Sequence, residues 1–170
     1  MTKLMLGGRD HRIDGFLNVD VHEGPLVDIQ GDISDLSKFE SGSVTEIYAS
    51  HCLEHFPHVR TLDVLKEWRR VMAKKGKTYI SVPNVDYIIS YYQKHGLSDW
   101  FRNIMWGDQG YKEAFHYTGF NFAKLSNLLF LSGYEDIKRI DKMPYGLADC
   151  STRVMSDDGK NFSLHVEATA

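Results

Sequence analysis

The chain has 170 residues, 42% of them hydrophobic, and a formal net charge of −3. That is enough for one domain with an ordinary buried core, and a poor match for a protein built to grip nucleic acid. Two cysteines make no disulfide framework and fit a reducing, cytoplasmic setting, while no apolar run approaches membrane-spanning length. The glycine pair Gly7-Gly8 comes too soon for a secretory signal, and without an internal repeat or linker residues 1–170 read as a single domain.

Taken in order, Lys3 to Leu6 is a short strand running into Gly7-Gly8. Glycines at a strand's carboxyl end let backbone approach a ligand, although a plain tight turn explains the pair equally well. Only residues 9–16 separate this strand from the next, Leu17 to Val21, so the first crossover helix is missing or reduced to a turn. Asp20 lies at the second strand's end, where an acid can accept both hydroxyls of a ribose. Leu26 to Ile29 is a third apolar stretch, followed by Asp32, within reach of a base's exocyclic amine or else a turn residue.

The stretch from Ser43 to Pro83 organises the rest. Val44 to Ala49 reads as a strand buried on both faces, stopping at Ser50-His51. Val59, Leu62, Leu65, Trp68, Val71 and Met72 recur at helical spacing, with Arg69, Arg70, Lys74 and Lys75 in the last turn and Gly76 as the stop. Thr78 to Val82 is the next strand, ended by Pro83. Strand, helix, strand is a right-handed βαβ unit whose ligand lies beyond the strands' carboxyl ends. That rim carries Ser50, His51, Glu54 and His55, with Pro83, Asn84 and Asp86 beside them. Glycine pair, Asp20, Asp32 and Ser50-His51 each end a successive strand, so they converge on one crevice.

The segments Leu6-Gly7-Gly8, Gly15-Phe16-Leu17-Asn18-Val19-Asp20, Asp32-Ile33, Ser50-His51-Cys52-Leu53-Glu54-His55 and Arg70-Val71-Met72-Ala73-Lys74-Lys75-Gly76 resemble a family pattern. It is that of class I S-adenosylmethionine-dependent methyltransferases, in particular their compact type 11-like group. The resemblance implies a Rossmann-like α/β sheet, mostly parallel with an antiparallel last strand, and S-adenosyl-L-methionine as cofactor. It also implies that Leu6, Gly7 and Gly8 border the methionine part, that Asp20 holds the ribose, and that Asp32 with Ile33 meets the adenine. Ser50 and His51 would flank the sulfonium. The sequence departs from the pattern at Arg9, where the family has a glycine, and at Lys75, where it has a proline.

Residues 84–120 hold Tyr91, Tyr92, Trp100, Phe101, Trp106, Tyr111, Tyr117 and other aromatics, and they follow a strand that ends at the crevice. They read as a lid with an acceptor pocket; a satellite core or subunit interface, including a homodimer contact, is the plainer account. Phe122 to Ser132 is a helix with Asn121 as N-cap and Gly133 at its C-terminus. Tyr134 to Ile140 and Asn161 to Thr169 read as strands, the second with Phe162, Leu164, Val166 and Ala168 on one face. Residues 143–158 form a long loop, and 157–160 a turn.

Methyl transfer from a sulfonium asks mainly for alignment and exclusion of water, with a base for an acceptor that loses a proton. His116 is the first candidate base, by its place at the end of the lid, with His51 and Asp86 in reserve. The expected acceptor is a small molecule, a sugar or glycan precursor among the options, rather than nucleic acid or membrane. Two rivals stand beside this reading. One is a catalytically degenerate nucleotide- or partner-binding fold, suggested by the missing helix and Arg9. The other is a zinc hydrolase through His51-x-x-Glu54-His55 with His58, which would need a continuous helix; no metal is expected.

Overall fold

The computed structural model describes residues 2–149 and 161–170, so the turn expected at 157–160 lies outside the described residues. Seven strands form one sheet: β1 (Thr2–Leu6), β2 (Leu17–Asp20), β3 (Ile29–Gln30), β4 (Val44–Ser50), β5 (Met72–Pro83), β6 (Glu135–Ile140) and β7 (Ser163–Thr169). Their spatial order is β3-β2-β1-β4-β5-β7-β6. Pairings among β1 to β5 are parallel, whereas β7 is antiparallel to both β5 and β6. This is the doubly wound order with an antiparallel strand inserted beside the fifth.

Parallel pairing needs a return path, and here most returns are loops. No helix separates β1, β2, β3 and β4, so the crossovers at the first edge are reduced as expected. The helices are α1 (Thr61–Val71), α2 (Val85–His95), α3 (Asp99–Trp106) and α4 (Phe122–Leu131). Alternate residues of the central strands pack under α1 and α4: Leu4, Leu6, Ile47, Ala49, Ile80, Val82, Leu164 and Val166 join Leu65, Trp68, Leu125 and Leu129 in the main core. Phe162, Leu164, Val166 and Ala168 are all buried, as the alternation requires.

The opposite face is treated differently. Met5, Ile13, Phe16, Tyr48 and Met143 form a small second core under loops. Toward the strands' amino ends that face becomes a row of ion pairs, Lys3–Glu46 at 2.9 Å and Glu167 with Lys77 and Lys138 at 2.9 and 3.1 Å.

Several boundaries differ from the periodicity. The third strand is Ile29–Gln30 rather than Leu26 to Ile29, because the Asn18 amide donates to the Leu26 carbonyl at 2.8 Å and holds that stretch in a loop. The helix ends at Val71, leaving Lys74 and Lys75 in β5, and Val59 stays outside it at 69% exposure. Gly76 is therefore no helix stop. A Cβ there would stand 2.9 Å from the Thr45 carbonyl oxygen, so the glycine serves close approach of β5 to β4. Asn121 does cap α4, accepting from the Lys124 N–H at 2.9 Å, and Gly133 follows one residue beyond the C-cap.

Trp68 is fully buried, and its indole N–H donates to the Ile33 carbonyl at 2.7 Å, tying α1 to the segment after β3. We expect Trp68→Ala to lower unfolding free energy by about 3–5 kcal/mol. Trp68→Phe should cost about 1–3 kcal/mol by leaving that carbonyl without a donor. Denaturant titration measures both, and equal losses would mean that the hydrogen bond contributes nothing.

Candidate functional site

The carboxyl ends of β1, β2, β4 and β5 meet at one rim, and there the chain leaves a cavity of about 160 Å³. It is lined by Met5, Leu6, Gly7, Gly8, Arg9, Asp10, His11, Ser50, His51 and Asp149. Gly7 has φ +69°, and a Cβ on it would fall 2.7 Å from the Cys52 Cβ; one on Gly8 would fall 2.5 Å from Asn18 Oδ1. The glycine pair is thus required by the packing of its own neighbours as well as by any ligand. Ser50 Oγ is buried without a hydrogen-bond partner. His51 takes φ +52°, a conformation a side chain adopts at a cost of about 1–3 kcal/mol and one that clusters at functional sites.

Asp20 is buried, and its two oxygens accept backbone N–H groups of Arg9 at 3.0 Å and His22 at 2.8 Å. A carboxylate has about four acceptor sites, so two remain. Asn18 holds the loop from the other side, its amide donating to the His11 and Leu26 carbonyls at 3.1 and 2.8 Å. The Arg9 guanidinium leaves the crevice to donate to the Tyr111 hydroxyl at 3.1 Å, and the Tyr111 ring also packs edge-on against His22. Asp32 is exposed, and its Oδ1 accepts the Ser34 N–H at 2.8 Å, the geometry of a turn. Ile33 is buried in the main core.

Beyond Ser50 the chain makes a single 3₁₀ turn, Leu53–His55. Glu54 is 1% exposed, and neither of its carboxylate oxygens has a hydrogen-bond partner; His51 Nδ1 lies 3.3 Å away as an ion-pair neighbour. Burial by itself would raise this carboxyl, but the adjoining His51 ring and positive charge on His51, His55 and His116 outweigh it and hold Glu54 at about 2. His51 Nε2 lies 2.8 Å from Ser163 Oγ, and its ring meets Phe162.

His116 reaches the same place from the far end of the aromatic insertion, its ring centroid 4.9 Å from that of His55. Its imidazole is pushed below the usual value, chiefly by burial and against the pull of Glu54. Asp86 lies elsewhere, exposed in the first turn of α2 with its carboxylate accepting from the Asn121 amide at 3.2 Å. The structure therefore brings His51 and His116 together around Glu54 and leaves Asp86 in a helix-capping pair. The continuous helix that the His51-x-x-Glu54-His55 hydrolase pattern needs is absent, and His58 is exposed.

Comparison with known proteins gives this geometry a context. Residues 14–80 match the family profile of the methyltransferase domain. In fold, the chain resembles an S-adenosylmethionine-dependent methyltransferase of Archaeoglobus fulgidus with a TM-score of 0.64 at 15% identity, over 99% of this chain and 86% of that one. The chain has the class I methyltransferase fold, and its residues 14–80 carry the match to the methyltransferase-domain profile. A second methyltransferase of this fold, from Methanosarcina mazei, aligns at TM-score 0.62 and 16% identity over 99% and 91% of the two chains. The 1,6-didemethyltoxoflavin-N1-methyltransferase of Burkholderia thailandensis, solved with its substrate and S-adenosylhomocysteine, aligns at 0.56 and 16% over 99% and 71%. No curated protein matches the chain in sequence.

Within this methyltransferase fold, three parts of the rim are set by contacts between residues far apart in the chain. Asp149 is buried, lines the cavity and accepts from the Tyr48 hydroxyl at 3.1 Å. Tyr111 closes over Arg9 and His22, and β7 supplies Ser163 and His165. All lie about a hundred residues from their partners, and only the β7 alternation could have placed Ser163 and His165 on the shared face.

His165, 4% exposed and 3.1 Å from Ser81 Oγ, is held at about 4, below the usual 6.5, by burial and then by His51. A depressed histidine stabilises while neutral, so its contribution is complete above about pH 6.5 and fades as pH falls toward 4. We expect the loss to be on the order of 1–2 kcal/mol after allowing for residual solvent screening. His165→Gln should flatten that part of the stability profile measured by denaturant melts between these pH values, and an unchanged slope would remove His165 as its source.

Proposed function

We propose that this protein transfers a methyl group from S-adenosyl-L-methionine to a small-molecule acceptor. The observation that carries the reading is the cavity at the ends of β1 and β4, lined by a glycine pair and a buried unpartnered Ser50 hydroxyl, with the Asp20 carboxylate bonded to the backbone of Arg9 in that lining. At about 160 Å³ it falls below the roughly 300–1,000 Å³ of a whole ligand site, so it suits the amino-acid end of the cofactor. The lining suits such a zwitterion: Asp149 and Asp10 offer negative charge to its ammonium, and the unpartnered Ser50 hydroxyl can donate to its carboxylate. The remaining acceptor sites of Asp20 would hold the ribose, and Asp32 with Ile33 would flank the adenine. Bound there, the cofactor supplies an activated methyl group on a good leaving group.

The chain's own residues then align the acceptor and keep water out. Helices α2 and α3 and the segment up to 120 are the proposed lid. Trp100 packs edge-on against Phe162, which packs against His51, so an aromatic wall runs from the insertion to the rim. Tyr91 adds to it, 4.2 Å from Trp100 between ring centroids. Such a wall favours a flat ring or the apolar face of a sugar. His51 and His116 are the groups placed to take a proton from the acceptor. Half-exposed Tyr92, Leu97, Trp106 and Tyr117 support acceptor contact or a homodimer. No described helix is long and apolar enough to cross a membrane.

One observation favours a second reading, a binding protein without catalysis: both Asp20 oxygens already accept backbone N–H groups. Titration calorimetry with S-adenosylmethionine and S-adenosylhomocysteine decides between them. We expect micromolar binding of both, weakened at least tenfold in Asp20→Ala and several-fold in Asp149→Asn, about 1.4 kcal/mol for each factor of ten. Binding of neither ligand would leave the second reading in possession.

A further inference from the structure

The Glu54 carboxylate is buried with no hydrogen bond to either oxygen, which is costly for an anion unless a cation or donors stand opposite. Three imidazoles stand around it: His51, with Nδ1 at 3.3 Å, and His55 and His116. One ligand atom each from Glu54, His55 and His116 can be chosen so that all three lie within 4.8 Å of one another. An ion at about 2.0–2.2 Å from each nitrogen and oxygen would draw such a trio together by a modest shift.

One ring nitrogen of each histidine already has a backbone partner, and this identifies the tautomers. His55 Nδ1 lies 3.0 Å from the Phe115 carbonyl oxygen and His116 Nδ1 lies 2.9 Å from that of Ile104. A carbonyl only accepts, so both Nδ1 atoms carry the hydrogen, and in the neutral rings the lone pair sits on Nε2. Imidazoles oriented by a backbone carbonyl in this way are the common form of histidine at metal centres.

The backbone holds the trio in place before any ligand arrives. Tyr117 N–H donates to the Glu54 carbonyl at 2.9 Å, and Thr118 Oγ1 donates to that of Phe56 at 2.7 Å. His116 N–H donates to the Trp106 carbonyl at 3.0 Å. The turn after β4 and the end of the aromatic insertion are therefore joined on both sides of the three side chains.

We propose that Glu54, His55 and His116 form a binding site for one divalent first-row transition-metal ion of the zinc class. Two imidazole nitrogens and one carboxylate oxygen suit such ions better than magnesium or calcium, which prefer an all-oxygen shell. Three protein ligands leave positions open. Glu54 also touches His51, which lines the cofactor cavity, so the ion stands at the acceptor side of the slot. Its role there is to hold an acceptor oxygen, with His116 then a ligand and proton removal left to His51; that role, unlike the binding itself, rests on the methyl-transfer reading.

The test uses the full chain stripped with a chelator and then titrated with Zn²⁺, and separately with Co²⁺ as a spectroscopic probe. One ion per chain is expected, with X-ray absorption showing nitrogen and oxygen neighbours and no sulfur. His116→Ala and Glu54→Gln should each weaken Zn²⁺ by more than about 100-fold, beyond the 10–100-fold that loss of an outer hydrogen bond costs. His58→Ala, on the exposed turn nearby, should bind as the wild type does. No stoichiometric uptake, sulfur from Cys52 in the ion's shell, or affinity that survives His116→Ala overturns the proposal. If a variant fails to fold, the wild-type absorption spectrum still decides. Uptake of Zn²⁺ on these ligands without binding of S-adenosylmethionine would leave the site standing and remove the methyl-transfer reading.

Discussion

Parallel pairing of β1, β2, β4 and β5 is the constraint on which the rest of this molecule depends. Strands that run the same way end on the same side, so every break in the chain after them falls on one rim. Gly7, Asp20, Ser50 and Pro83 are such breaks. None of them has to recognise a ligand to arrive there. The sheet delivers them, and their chemistry decides what the rim can hold.

The economy of the first half follows from how the returns are made. With no helices between β1 and β4, loops cover part of one face, and loops need their backbone groups satisfied locally. Asn18 and Asp20 do this from inside, by accepting from or donating to the loop at 9–11, His22 and Leu26. The same two residues therefore serve folding and site together. Arg9 contributes a backbone donor to Asp20 while its side chain turns to Tyr111. Its positive φ is the conformational cost of that position.

Polar groups are unevenly distributed through the interior. The face under α1 and α4 is almost entirely apolar, whereas the rim side buries Glu54, His165, Asp149 and Ser163. Charged and hydrogen-bonding groups are expensive to bury, and their concentration beside one cavity marks the part of the fold that is shaped for something other than stability. The aromatic insertion closes against this polar side through Trp100, Phe162 and His51, and the turn at Leu53–His55 is bonded to its end.

The amino-acid sequence by itself determined the sheet's outline. Short apolar runs ended by glycine, acid or Ser-His located β1, β2 and β4, the helical stripe through Trp68 located α1, and the alternation from Phe162 to Ala168 located β7, because local periodicity reports which face is buried. It was less able to set boundaries where a distant atom intervenes. The third strand shifted because Asn18 claims the Leu26 carbonyl, and Gly76 belongs to a close strand approach rather than to a helix end. Which polar residues share a site was decided only in three dimensions. His116 meets Glu54 and His55 across about sixty residues, Asp149 reaches the cavity from beyond β6, and Asp86 is drawn instead into a helix cap with Asn121. Contacts of that kind depend on how loops fold back over the sheet, and no spacing along the chain encodes them.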